Sequence, residues 1–224
     1  MFGALALKAS GTVMPAEATL PLLVQQASTG GAAAGTSATG TLDAAPTAGN
    51  TLLMAVREFV SGDAITPAGW TLLGEQLPAG STRPAAFFAK TSDGTETSVT
   101  VNFANSAGHG IAIQEWQGAV TFGTTSGKYI ASGITNPQTM GPTDAPPSAS
   151  AVPSMFLFFD NIGTNQAYWP AGWTGTSKSL TFAHNDCEIG AMNSAPGAAV
   201  SPSISFNSAP GSYMYWWNIW VSKP

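Results

Sequence analysis

The pentapeptide PAGWT occurs twice, at Pro67–Thr71 and at Pro170–Thr174, and aligning the copies sets an offset of 103 residues that holds far beyond them. Leu52, Leu53 and Met54 fall on Met155, Phe156 and Leu157, and Ala64 falls on Ala167. Leu77 falls on Leu180, Gly94 on Gly197, Ser98 on Ser201, Phe103 on Phe206 and Gly108 on Gly211. Apolar Val101, Ile111 and Ile113 land on Ile204, Met214 and Trp216. The match runs without a gap through apolar runs and turns alike, which marks an internal duplication. Two repeats, about 26–118 and 119–224, are therefore expected to fold the same way, behind an N-terminal arm over 1–25.

Each repeat reads as strands. NTLLMAVREF and SMFLFFDNI are short apolar runs bounded by Gly, Pro and Asn, as expected of strands buried on both faces. SVTVNFA alternates Val99, Val101 and Phe103 with Thr100 and Asn102, and PSISFNS repeats the pattern with Ile204 and Phe206. Sixteen prolines and twenty-five glycines punctuate the chain at intervals too short for helices. The helix-like stretch MPAEATLPLLVQQ is cut by Pro21. In PAGWT, proline presets the turn, Gly69 and Gly172 take a conformation closed to other residues, and Trp70 and Trp173 face inward as anchors of the next strand. Neither copy carries an acid, a base or a nucleophile, so the turn is structural.

The pattern GNTLLMAV, PAGWT, FFAKTSDGTETSVTVNF and GIAIQEWQG is followed by a second apolar strand, a second P-x-G-W and a C-terminal strand near a terminal proline. It resembles a β-sandwich family found in tailed-phage virions and in bacterial surface or secreted proteins. The resemblance covers about residues 25–224, and it departs from the family where the usual Asp of a G-D-L-L strand start is Asn50, or Pro153 and Ser154 in the second repeat. It implies an all-β, jelly-roll-like β-sandwich. The join EWQGAVTFGTTSG contains no charged or Pro/Ser-rich linker, which favours one sandwich with each repeat as a related half over two tandem Ig-like sandwiches.

Composition narrows the function classes. Charged residues make up 8% of the chain, against roughly 25% in ordinary soluble domains. Ser, Thr, Asn, Gly and Ala must then cover most of the surface, as suits a protein packed among neighbours. Seven Lys and Arg and a net charge of −5 offer no basic patch for phosphates, so nucleic acid is not an expected partner. Lys8 breaks the first apolar run and no stretch nears the ~18 residues of a membrane span, so neither a signal peptide nor a membrane is expected.

No calcium loop, zincin, Walker or nucleophile-elbow motif is present, and a non-enzymatic protein without cofactor or metal is expected. His109 sits between glycines and reads as an exposed turn residue. HNDCE, with His184, Asp186, Cys187 and Glu188, is the densest ligating cluster, but strand alternation sends its neighbours to opposite faces. Cys187, the one cysteine, reads as a buried thiol.

The segment YMYWWNIW places Met214, Trp216, Asn218 and Trp220 on one strand face and Tyr215, Trp217 and Ile219 on the other, as in a central strand buried on both sides. The alternative is an exposed aromatic platform, with Tyr168, Trp169, Tyr213, Tyr215 and Trp217 as candidates for subunit or glycan contact. The resemblance implies a virion structural protein made in the host cytoplasm. Its expected form is a homo-oligomeric capsid decoration or cement protein that contacts the major capsid protein. A tail-fibre or tail-tip receptor-binding or carbohydrate-binding module is the alternative. The 1–25 arm, apolar and outside the duplication, is expected to dock on another subunit.

Overall fold

The computed structural model describes residues 19–29, 35–159, 167–176, 186–207 and 213–224. The first repeat forms β1 (Leu23–Thr29), β2 (Gly35–Thr41), β3 (Thr51–Arg57), β4 (Ala64–Ile65), β5 (Thr71–Gln76), β6 (Ala85–Thr91), β7 (Ser98–Ala107) and β8 (Gly110–Trp116). The second forms β9 (Thr121–Ile130), β10 (Gln138–Thr139), β11 (Val152–Phe159), β12 (Ala167–Tyr168), β13 (Trp173–Gly175), β14 (Asp186–Met192), β15 (Ser203–Phe206) and β16 (Met214–Ser222). All ladders between these strands are antiparallel.

In the first repeat β1 pairs with β8, β2 with β7 and β3 with β6, the nested order of a long hairpin. The pairs β3–β8, β4–β7 and β5–β6 then roll that hairpin into two sheets, ordered β1-β8-β3-β6-β5 and β2-β7-β4. The second repeat has the same orders, β9-β16-β11-β14-β13 and β10-β15-β12. Eight strands wound in this way make a jelly roll. The all-β, jelly-roll-like sandwich expected from the sequence is what the chain forms, with one correction: each repeat closes its own sandwich instead of contributing half of a shared one. A rolled hairpin needs no strand from outside, so a unit of about 100 residues suffices.

The repeats are nonetheless fused by packing. Leu53 and Ala55 of β3 meet Phe156 and Phe158 of β11 in a core between the two five-stranded sheets. On the opposite faces, Leu52, Met54 and Val56 pack under the small sheet of the first repeat, and Met155, Leu157 and Phe159 under that of the second. Four sheets are thus stacked three-five-five-three, and the two five-stranded sheets bury both faces. That burial explains why β3 and β11 read as continuous apolar runs and not as alternating ones.

The stacking is symmetric. Gln26 and Ser28 of β1 hydrogen-bond Thr174 O (2.9 Å) and Thr176 Oγ1 (2.9 Å) at the β13 edge. On the other side, β9 meets β5, where Thr125 Oγ1 donates to Gln76 Oε1 (3.2 Å) and Ala79 bridges Lys128. Since β9 is the counterpart of β1 and β13 of β5, exchanging the repeats exchanges the two seams. This is the isologous geometry of a two-fold dimer, built within one chain.

The offset of 103 survives in the ladders: Leu53 pairs with Gln114 as Phe156 pairs with Trp217. The gap-free reading needs correction at one strand. Leu53 pairs with Ala89 in β6, but Phe156 pairs with Ile189 in β14, an offset of 100. It returns to 103 at β15, where Ala167 pairs with Phe206 as Ala64 pairs with Phe103. Leu180 and Gly211 lie outside the described residues. So do residues 1–18 of the arm; residues 23–25, assigned to it from sequence, belong to β1.

Candidate functional site

The PAGWT turns have the same backbone in both repeats. Trp70 N donates to Pro67 O and Trp173 N to Pro170 O, both at 3.1 Å, with Gly69 at φ 79° and Gly172 at φ 86°. These are four-residue turns whose third position demands positive φ, which glycine takes without strain. Their tryptophans differ. Trp70 is buried in the outer core of its repeat. Trp173 is half-buried, packed against the outer core of the second repeat.

Titratable groups gather at one end of the first repeat, beyond β3, and the structure corrects the reading of His109. It is buried, stacked on Phe103 with centroids 3.5 Å apart, and its ring nitrogens face Arg57 O (3.3 Å) and Asn105 O (3.1 Å). The glycine-flanked turn folds back under β7 instead of opening to solvent. Asp63 accepts from Asn105 N (2.8 Å), Asn105 Nδ2 (2.9 Å) and Phe59 N (3.2 Å). Arg57 lies over the Phe158 ring of the other repeat, 4.7 Å from its centroid, and donates to Gly108 O. Burial, reinforced by nearby Arg83, lowers its pKa. Glu58 accepts from Ala64 N at 2.7 Å, and its second oxygen is buried with no partner among the described residues. Burial pushes its carboxyl up to about 7. These groups tie the 58–63 and 105–109 turns to the strand ends.

The HNDCE segment splits between faces as alternation requires. Cys187 lies in the core between the repeats, its thiol donating to Thr29 O at 2.9 Å. Glu188 points to the outer face and accepts from Ala167 N (2.8 Å) and Trp169 Nε1 (3.2 Å). His184 lies outside the described residues. Among the described residues, no group of three or more His, Cys, Asp or Glu converges as a metal site would require.

The aromatic candidates divide. Tyr215 and Trp217 are buried between the sheets, their rings parallel within 5° and 5.5 Å apart, so they belong to the core and not to a surface platform. Tyr213 is half-buried at the edge of the same stack. Tyr168 is 50% exposed, and Trp169 beside it is half-buried and stacked on Trp173 at 5.5 Å. Trp169 lies flat on two glycines: a Cβ at Gly175 would stand 1.9 Å from the indole, and one at Gly190 2.7 Å. Gly190→Ala should therefore displace the ring, break its bond to Glu188 and cost about 1–3 kcal/mol, as overpacking does. Urea unfolding and a changed tryptophan emission would check this.

Two grooves follow the two seams. The one between β1 and β13 is lined by apolar Leu23 and Val24 together with polar Gln25, Gln26, Thr174 and Asn193. The one between β5 and β9 mixes Val120, Phe122 and Ile219 with Thr71, Lys90 and Asp144. Exposed apolar side chains concentrate on the same edge strands and their flanks: Leu20, Leu22 and Val24 at β1, Leu72, Leu73 and Leu77 at β5. Sequence reasoning missed both grooves, because they arise where two sheets meet and no single repeat contains either one. The one legible signal was Gln114, a polar residue that directly follows the apolar run GIAI within the same strand. It is fully buried at the seam, accepting from Ser154 Oγ (2.6 Å) and donating to Gln26 Oε1 (2.9 Å). Comparison with known proteins returned no match among family models, curated proteins or solved structures.

Proposed function

We propose that the protein is a non-enzymatic structural component of a tailed-phage particle, seated on the capsid exterior as a decoration or cement protein. The observation that carries this reading is the apolar character of the sheet edges. Leu20, Leu22 and Val24 stand 41%, 56% and 48% exposed beside an edge strand, and Leu72, Leu73 and Leu77 stand 45%, 40% and 49% exposed at the opposite edge. Soluble β-proteins guard edges with charge, proline or a covering element, and apolar patches mark interaction sites. With 8% charged residues, the chain has little charge to guard them with. The resemblance of the two repeats to virion β-sandwiches supports the same reading, and the two sandwiches share one buried core. Bridging capsomers would bury these edges only in the assembled shell and so stabilise it by mass action.

Particles with and without the protein provide the test. The protein should raise the temperature or osmotic shock that particles survive and leave adsorption to cells unchanged. Loss of adsorption with unchanged heat resistance would overturn the reading in favour of receptor binding. That second reading has its own observation, the partly exposed Tyr168, Trp169 and Trp173 near Asn193, which carries the acceptor for Thr174 Oγ1 at 2.9 Å. Aromatic faces beside amide groups suit sugar rings and their hydroxyls. A glycan array probed with the intact protein and with Tyr168→Ala would reveal it.

A further inference from the structure

The turn that joins β3 to β4 is assembled on carboxylates. Its backbone N–H groups donate to three different acids: Phe59 N to Asp63 Oδ2 (3.2 Å), Gly62 N to Glu75 Oε1 (2.9 Å) and Ala64 N to Glu58 Oε1 (2.7 Å). Two of these acids are placed to stay charged. Asp63 takes Asn105 N and Asn105 Nδ2 on its other oxygen, with His109 Nε2 4.0 Å away, and Glu75 reaches the turn from β5 and is half-buried.

Glu58 differs. It is 0% exposed, and its Oε2 meets no donor among the described residues. The charges that face it carry its own sign, Glu75 from β5 and Asp63 from within the turn. The cationic groups at this end are engaged elsewhere. Arg57 donates to Gly108 O and lies over Phe158, while Arg83 stacks on the Phe59 ring at 3.7 Å and donates to Phe59 O at 2.7 Å. His109 faces Asp63 and the carbonyls of Arg57 and Asn105. An ionised Glu58 would therefore be a third carboxylate on one short turn, buried with one bare oxygen.

The segment that would yield is thinly held. β4 is two residues long, the outer strand of its sheet, and pairs with β7 only through Ala64↔Phe103 and Ile65↔Asn102. Val60 and Ile65 are exposed, so lifting the segment gives up little apolar burial. Its remaining ties to β7 run from Asp63 to Ala104 and Asn105, both exposed residues. Local opening draws on segments of this kind.

We propose that Glu58 is a pH-sensitive latch: protonated, it keeps the 58–65 segment closed on β7, and on losing its proton it lets that segment lift and free the β7 edge at Asn102 and Phe103. A freed edge is open to pairing with another strand. Burial holds the closed-state carboxyl up to about 7, against an ordinary value of 4.5 that the lifted segment regains. Between those values opening releases one proton, so it becomes about tenfold more frequent per pH unit; above 7 both states are ionised and the rise stops. The latch belongs to the first repeat and does not depend on where the protein docks.

Hydrogen exchange read by mass spectrometry on the intact protein, corrected for the intrinsic pH dependence of amide exchange, tests the latch. Peptides covering 58–65 should lose protection about tenfold per pH unit from pH 5 to 7 and level off by pH 8. Peptides from β11 should exchange far more slowly at every pH. Glu58→Gln, which still accepts from Ala64 N and cannot ionise, should flatten the 58–65 profile. Glu75→Gln removes a like charge, keeps an acceptor for Gly62 N, and should bring the plateau to lower pH. A 58–65 segment that exchanges no faster than β11 in the parent at pH 8 would mean that the turn opens only with the whole chain, and would overturn the proposal. An undiminished slope in Glu58→Gln would do the same.

Discussion

Trp217→Ala is expected to lower stability by about 3–5 kcal/mol, the range for removing a buried large aromatic. The ring is fully buried in β16, 5.4 Å from Phe156 and 5.5 Å from Tyr215. Its indole N–H donates to Gln76 O of the first repeat at 3.0 Å. Truncation therefore removes packing between the sheets and also leaves the Gln76 carbonyl without its donor, a second cost of about 1–3 kcal/mol if water cannot replace it. Trp217→Phe loses the hydrogen bond but only part of the ring, so it should cost less than Trp217→Ala. Because this core joins both repeats, unfolding should remain a single transition in urea, shifted to lower midpoint. A loss below about 1 kcal/mol, or a transition that splits in two with the second repeat melting alone, would show that the shared core does not couple them.

The same strand shows how far sequence reaches. The two-faced burial of Tyr215, Trp217 and Ile219 against Met214, Trp216 and Trp220 follows from alternation alone, and the structure places them so. The repeat offset located equivalent strands because register is pinned wherever a face is buried, and a slip of one residue would turn every side chain over. Reading stopped at the level of layers. Leu53 and Leu52 look alike in sequence, yet one faces the other repeat and the other faces its own small sheet. The existence of a second buried face depends on what stacks there, and the text of one repeat does not contain that.

Charged residues were the least legible. Arg57 and Glu58 end an apolar run, where a strand normally emerges into solvent, yet both are buried. Arg57 is covered by Phe158, a residue 101 positions away on the other repeat. Trp173 shows the opposite error. Its turn matches that of Trp70 hydrogen bond for hydrogen bond, but the ring packs against the outer core of its repeat from the side and stays half-buried, where Trp70 is buried within its own. Local chemistry set the turn in both repeats, and tertiary surroundings set the depth of each ring.

Stability should fall as pH rises from about 4.5 to about 7, with Glu58 as the main cause. Burial holds its carboxyl up to about 7 in the folded chain, against an ordinary value of 4.5. Between those values the native state keeps a proton that the unfolded chain has lost, so raising the pH favours unfolding. The full excursion is on the order of 3 kcal/mol, complete above the folded pKa and absent below the unfolded one. Glu96 acts at the other limb. Partial burial would raise it, but hydrogen bonds from Lys90 (2.5 Å), Ser92 Oγ (2.8 Å) and Asp93 N (3.1 Å) outweigh that and hold it at about 2. Its contribution is present above 4.5 and is lost as pH falls towards 2, so the two carboxyls place the stability maximum near pH 4–5. Glu58→Gln keeps the acceptor for Ala64 N and cannot ionise. It should match the parent protein near pH 4.5, exceed it in melting temperature at pH 8, and flatten the alkaline side of the profile. A variant whose stability falls between pH 5 and 8 as steeply as the parent's would show that another group carries the titration.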